Sequence, residues 1–316
     1  MVDLHVHSTA SDGTCTPSEL AERGRGFSVM ALTDHDNCDG VEEFLASSKE
    51  LRAFELNSAS VQKNSNTQTP KHSNTQTPPT PCCRLAGIEL SVEPGEGYGK
   101  FHLLGLGIDP RHEGLRLFLR RVLDGRNARN ERMLARFAEI GITIPTAEIA
   151  TYAHGEVLAR PHFARWLMDH GYAPDVKAAF GAYLTPSSPA ETNCYVTRYH
   201  PDPGDAFDVI HAAGGVAVMA HPRYWTKDPA MLRDGLARLK ARGLDGIEAV
   251  YQANEPDETI DHLRAAKELG LCMTAGSDFH GANKPTITLG MEVEGESEFI
   301  APFLACLERR RKAAQE

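Results

Sequence analysis

The residues able to do chemistry in this chain recur in one kind of setting. The opening stretch VDLHVHSTASDGT puts His5 and His7 two apart in an apolar run, with Asp12 five residues further on. Side chains two apart on a strand point to the same face, so both imidazoles face one way. LTDHD places His35 just past a second strand-like run, GIELS holds Glu89, FHLLG holds His102, VMAHP reaches His221, and GSDFHG supplies Asp278 and His280. Imidazole and carboxylate without cysteine suit borderline to hard divalent ions such as zinc, manganese or iron. Six histidines and three carboxylates exceed the roughly four to six ligands of a single ion. A carboxylate shared between ions holds two of them about 3.5–4 Å apart, where they can clamp a phosphoryl group.

The elements that position these residues are legible from hydrophobic period. VDLHVH alternates with period two; VMALT, LAGIELSV, FHLLGLGI, GGVAVMA, GIEAVY and LCMTAGS are further strand-like runs. TPSELAERG opens a helix with Thr16 as N-cap, Pro17 at the first position and Glu19 completing a capping box. VEEFLASSKEL, PAMLRDGLARLKARG and DETIDHLRAAKELG read as helices between strands. Strand alternating with helix predicts mostly parallel strands, in a barrel or a doubly wound sheet. Nearly all of the candidate ligands then fall at or near carboxyl ends of strands, the edge where such folds build active sites. Gly95, Gly97 and Gly99 lie in the turn-rich EPGEGYGK; no helix start follows them, so a hairpin turn is expected, not a phosphate loop.

Two segments break this rhythm. Residues 57–81 are rich in Asn, Ser, Thr, Gln and Pro and contain SNTQTP twice; a surface loop without fixed structure is expected. From about 110 to 203 the pattern is helix after helix, with Leu115, Phe118, Leu119 and Val122, then Met133, Leu134 and Phe137, at helical spacing. This predicts a helical subdomain inserted into an α/β body.

The totals narrow the function classes. The chain has 316 residues, 41% hydrophobic and 24% charged, with a formal net charge of -10. That balance argues against a surface built for non-specific binding to duplex DNA or to anionic membrane. It leaves room for an anionic substrate if bound cations set the local field. Seven cysteines without a CxxC pair suggest a reducing compartment. With no signal-peptide pattern at the N-terminus and no apolar run near membrane-spanning length, a cytoplasmic protein is expected.

Taken together, HVHSTASDGT, LTDHD, GIELS, FHLLGLGID, AHP and GSDFHG resemble the motifs of the polymerase and histidinol phosphatase (PHP) family, in its branch of 3′,5′-nucleotide bisphosphate phosphatases and RNase AM-like enzymes. The resemblance extends over almost the whole chain, including ARPHFARWL; the 57–81 insertion just before Glu89 departs from it. It implies a distorted (β/α)7 barrel over 1–109 and 204–316, with the helical subdomain at 110–203 recognising substrate. It implies three divalent ions (Mn, Fe or Zn). His5, His7, Glu89 and Asp278 would hold the first; Glu89, bridging, with His102 and His221 the second; and Asp12, His35 and His280 the third. A hydroxide between the first two ions would attack phosphorus, with Glu89 and His221 at the reacting centre.

Asp36 is a candidate proton donor or supporting residue, set against a plain turn or cap aspartate. A second phosphate on the substrate calls for guanidinium groups, which bind phosphate bidentately. Arg160, at an expected helix start, is the first choice, followed by His162 and Arg129. The expected substrate is a small phosphorylated nucleotide, a nucleoside 3′,5′-bisphosphate that loses its 3′-phosphate. Alternatives are histidinol phosphate, short RNA trimmed from its 5′ end, and a metal-binding module without turnover, against which the full ligand set argues. His72, His112, His154, His170, His200, His211 and His262 fall outside the strand-end pattern and are given no role.

Overall fold

The capping box at the first helix forms as its sequence predicts. Glu19 N–H donates to Thr16 Oγ1 at 3.2 Å, and Thr16 N–H donates to Glu19 Oε2 at 2.8 Å. The computed structural model describes residues 1–46, 83–95, 99–153 and 157–316. The 57–81 insertion, His72, His154, Gly97 and the second half of the helix expected over 41–51 lie outside the described residues.

Seven strands carry the fold: β1 (Val2–Val6), β2 (Val29–Leu32), β3 (Cys83–Val92), β4 (Phe101–Leu106), β5 (Val216–Met219), β6 (Gly246–Tyr251) and β7 (Cys272–Gly276). They lie side by side in sequence order. β7 returns to β1, where Asp278 N–H donates to His5 O at 2.8 Å and His7 N–H to Phe279 O at 3.0 Å. The result is a distorted (β/α)7 barrel. Every neighbouring pair is parallel except β3–β4 and β4–β5, so β4 alone runs against the rest. The helices are α1 (Pro17–Arg23), α2 (Val41–Ala46), α3 (Glu113–Glu139), α4 (Thr146–Ala150), α5 (Arg160–Asp169), α6 (Val176–Ala179), α7 (Pro203–Ala212), α8 (Pro229–Arg242), α9 (Pro256–Leu269) and α10 (Glu296–Ala313). No described helix is long and apolar enough to cross a membrane.

Period-two strands bury both faces. On β4 and β5, Leu104, Leu106, Val216 and Val218 join one apolar cluster, which Ile300, Phe303 and Leu307 of α10 complete. Leu103, Ala217 and Met219 face the other way, against Phe207 and Ile210 of α7 and Leu236 of α8. Between β4 and α7 the chain is helical and carries its own core, with Phe137, Phe163, Trp166 and Leu167. α3 serves both bodies: Leu115, Phe118 and Val122 pack in the barrel's cluster, and Met133 and Phe137 in the second. A boundary drawn at residue 110 therefore cuts off part of the barrel's own packing.

Candidate metal centre

The nine residues expected from sequence converge at one end of the barrel, and Glu89 is the hub. Its Oε1 faces His102 Nδ1 at 2.7 Å and His221 Nε2 at 3.1 Å. Its Oε2 faces His5 Nε2 at 3.3 Å, His7 Nε2 at 3.0 Å and His35 Nδ1 at 3.0 Å. Asp278 Oδ1 lies 3.6 Å from His5, 3.4 Å from His7 and 3.3 Å from His280 Nδ1. Asp12 is 3.3 Å from His280 Nε2 and 3.9 Å from both His7 and His35. Donor atoms cluster as His5–His7–Glu89–Asp278, His7–Asp12–His35–His280 and His35–Glu89–His102. His35 belongs to two of these groups, through a different ring nitrogen in each. His221 joins through its contact with Glu89.

His102 departs from the expected strand-end placement. It is the second residue of β4, at the strand's amino end. Because β4 runs antiparallel to its neighbours, that end lies at the carboxyl edge of the other strands.

The donor set fits cations. Glu89 Oε2 and His35 Nδ1 are buried with no hydrogen-bond partner, although they stand in contact. His5 Nε2 and His7 Nε2 are 3.1 Å apart, close enough for a proton on one ring to be shared with the other or for a cation to take its place. Burial opposes the charge on His7, yet Asp278 and Glu89 hold its pKa up at about 9. Burial likewise works against His5, but Glu89, Glu248 and Asp278 keep it well above the ordinary imidazole range. Burial takes His35 down to about 3 against the pull of Glu89 and Asp12. Burial also opposes ionisation of Glu89, and His35, His102 and His5 outweigh it, holding the carboxyl well below its usual range. Divalent ions can take the place of the protons for which these groups compete.

Several supporting residues are not apparent from the motifs. Glu248 on β6 is fully buried. Its Oε1 lies 3.0 Å from His5 Nδ1, and its Oε2 accepts from His221 N–H at 2.6 Å. Accepting from Nδ1–H leaves His5 Nε2 with its lone pair toward Glu89. The one available signal was an acid in the apolar run GIEAVY. A Cβ at Gly276 would come within 2.2 Å of Glu248 Oε1 and 2.4 Å of His5 Cβ, so glycine there permits this contact. Asp34 accepts from Ser8 and Ser11, fixing the loop between His7 and Asp12. Lys284 and the Tyr251 hydroxyl both donate to Asp278 Oδ2. Among the described residues, the non-glycine positions with positive φ are Asp36 (56°), His221 (26°) and Asp278 (60°), all at this site. Backbone strain of about 1–3 kcal/mol per residue persists only where surrounding structure enforces it.

Asp36 does not fit a proton donor. Its Oδ2 accepts from Arg126 Nε at 2.6 Å and Arg198 Nη2 at 2.8 Å. Burial opposes its charge, but Arg126 and Arg198 outweigh that and bring its pKa to about 2. At neutral pH it is a carboxylate with no proton to give, and it holds two arginines beside His35. Arg129 and Arg160 share the same field as Arg126 and Arg198. Arg160 opens α5 and stacks over Phe180 and Tyr195, 5.9 and 5.5 Å from their ring centroids. His162 Nδ1 accepts from Ala159 N–H at 3.0 Å, which closes the first turn of α5. Arg126 and Arg198 were missed because the sequence offers many arginines and nothing local marks these two.

Residues 3–109 match the PHP domain. A Chromobacterium violaceum protein named 3′,5′-nucleoside bisphosphate phosphatase is 30% identical over 99% of this chain and 96% of its own. A Haemophilus influenzae protein named 5′-3′ exoribonuclease is 32% identical over 88% of this chain and 89% of that one. The structure of an amidohydrolase from C. violaceum is similar with a TM-score of 0.74 at 28% identity, covering 98% of this chain and 96% of the other.

Proposed function

The chain belongs to the PHP family of metal-dependent phosphoesterases, and from that premise we propose that this hydrolase removes the 3′-phosphate from nucleoside 3′,5′-bisphosphates. The site would take three ions, manganese, iron or zinc: His5, His7, Glu89 and Asp278 would hold one, Glu89, His102 and His221 a second, and Asp12, His35 and His280 a third. Ions so held would supply positive charge against the phosphoryl oxygens and activate the attacking water. The chain's own residues set the geometry. Glu89 ties five imidazoles from four chain segments to one point, and Glu248 aims His5 into the site while bracing the His221 backbone. Lys284 stays cationic beside Asp278 and offers donors to a phosphoryl oxygen. Water adds its oxygen to phosphorus, the bond from phosphorus to the ribose O3′ breaks, and that oxygen leaves with a proton.

The second phosphate rests on one observation: four arginines against one carboxylate. Among the described residues, Asp36 is the only acid paired with Arg126, Arg129, Arg160 or Arg198. Burial, and then the neighbouring arginines, bring Arg129 down to about 9; Arg198, also buried, falls to about 10 although Asp36 opposes this. Arg129 Nη2 is buried without a partner. Guanidinium groups crowded and desolvated in this way are relieved by a dianion, and their geometry suits phosphate. The cluster adjoins the metal centre through Asp36, which follows His35 and donates its N–H to Glu89 O at 3.0 Å.

The test is phosphate release by manganese-loaded protein from adenosine 3′,5′-bisphosphate, adenosine 3′-monophosphate and histidinol phosphate. The bisphosphate should have the highest kcat/KM. Equal rates on the two adenosine substrates, or turnover of histidinol phosphate alone, would overturn the assignment.

A further inference from the structure

One amide side chain ties the metal end of the barrel to the helical subdomain. The loop after β7 carries Asp278 and His280, and His280 leads into a single turn, Gly281–Asn283. That turn is bound to the loop after β1, which carries Asp12. Thr14 N–H donates to His280 O at 3.2 Å, and Ala282 N–H donates to Thr14 Oγ1 at 2.8 Å. A Cβ at Gly281 would collide with Thr14 Oγ1, so glycine lets the two loops close. Asn283 adds a further contact, its Nδ2 donating to Asp12 O at 2.6 Å.

The other end of the same amide leaves the barrel. Asn283 Oδ1 accepts from Arg165 Nη2, on α5. A carbonyl only accepts and a guanidinium only donates, so the amide nitrogen must meet Asp12 and the amide oxygen Arg165. A carboxylate at this position could serve the arginine alone. α5 also carries Arg160, at its first position. Phe163, Trp166 and Leu167 of α5 lie in the subdomain's own core, and among the described residues none of α5 enters the barrel's apolar clusters. Apolar packing thus fixes α5 within the subdomain, and the polar contact of Arg165 with Asn283 joins it to the loops that bear Asp12 and His280.

We propose that Asn283 and Arg165 are positioning residues that set the span between the two phosphate subsites, holding Arg160 on α5 in register with the Asp12 and His280 loops and so supporting the preference for a second phosphate. This rests on the reading of the arginine cluster as the second-phosphate site. With the span fixed, a substrate held at the arginines presents its other phosphate to the metal centre already aligned. A span left free must be ordered at each binding event, at a cost in affinity. A substrate without the second phosphate makes no use of the span.

The test measures kcat/KM of manganese-loaded protein for adenosine 3′,5′-bisphosphate and adenosine 3′-monophosphate, and manganese affinity by competition with a chelating dye. Melting curves check folding. Two variants cut the link at different points. Arg165→Ala removes the arm to α5 and leaves Asn283 on Asp12. It should lose about two- to tenfold on the bisphosphate, while the 3′-monophosphate rate and manganese affinity hold. Asn283→Asp keeps an acceptor for Arg165 but has no donor for Asp12 O. It should bind manganese more weakly and lose activity on both substrates at limiting manganese, with the ratio between them unchanged. Equal loss on both substrates in Arg165→Ala would assign Arg165 to general stability and overturn the proposal. So would a bisphosphate preference untouched by Arg165→Ala, or manganese affinity untouched by Asn283→Asp. A wild type that prefers the bisphosphate, with the preference surviving in Arg165→Ala, would sink the span and spare the second-phosphate site. A wild type with equal rates on the two substrates would sink both.

Discussion

Replacing Glu248 with glutamine changes one oxygen to an amide nitrogen at a fully buried position. Two donors converge on this side chain: His5 Nδ1 at 3.0 Å on Oε1 and the His221 N–H at 2.6 Å on Oε2. A carboxylate accepts both. Glutamine accepts one and presents N–H to the other. If the amide oxygen keeps the His221 N–H, the amide nitrogen faces His5, whose ring must then accept at Nδ1 and carry its proton on Nε2, the atom aimed at Glu89. If the oxygen keeps His5, the His221 N–H is left buried and unpaired. An unpaired buried donor costs about 1–3 kcal/mol, which at about 1.4 kcal/mol per factor of ten is roughly five- to hundredfold in affinity for the ion that His5 would hold. Loss of a residue orienting a metal ligand typically costs about 10–100-fold, the same range. Metal affinity would be measured by competition with a chelating dye, content by elemental analysis after dialysis, and folding by melting with and without chelator. The expected result is one ion weakened by about tenfold or more, with phosphate release falling in parallel and recovering as metal is raised. Unchanged affinity, with full activity at limiting metal, would refute the claim that Glu248 sets the His5 tautomer.

Two further substitutions probe the remaining parts. Asp36→Asn removes the charge that holds Arg126 and Arg198; KM for adenosine 3′,5′-bisphosphate should rise about tenfold or more, while KM for adenosine 3′-monophosphate stays put, as steady-state kinetics on both substrates would reveal. Asp245 is a test of pH: burial opposes its charge, but His211, Arg310 and the Ala217 N–H outweigh it and depress its pKa. A depressed carboxyl pKa stabilises fully above the unfolded value of about 3.9 and loses that contribution as pH falls through the folded value. Asp245→Asn should therefore cost about 1–3 kcal/mol at pH 7 and progressively less as pH falls below about 4, read from urea unfolding across that range.

By itself the sequence determined the strand period, the first helix cap and which residues gather at the candidate metal centre. These are local properties: alternation in VDLHVH puts His5 and His7 on one face, and Thr16 and Glu19 cap a helix without help from distant residues. It also placed most of the candidate ligands at one edge, because parallel strands end together. The direction of β4 was decided by pairing between strands, and only that reversal brings His102 from a strand's start to the same edge. The residues that orient the site are further still from local rules. Glu248 meets His5 across 243 residues of sequence, and Arg126 reaches Asp36 across 90. An acid in a strand or an arginine on a helix carries no mark of its partner. Whether Asp36 is an acid or an anchor depends on the field around it, which exists only once the helices have packed against the barrel.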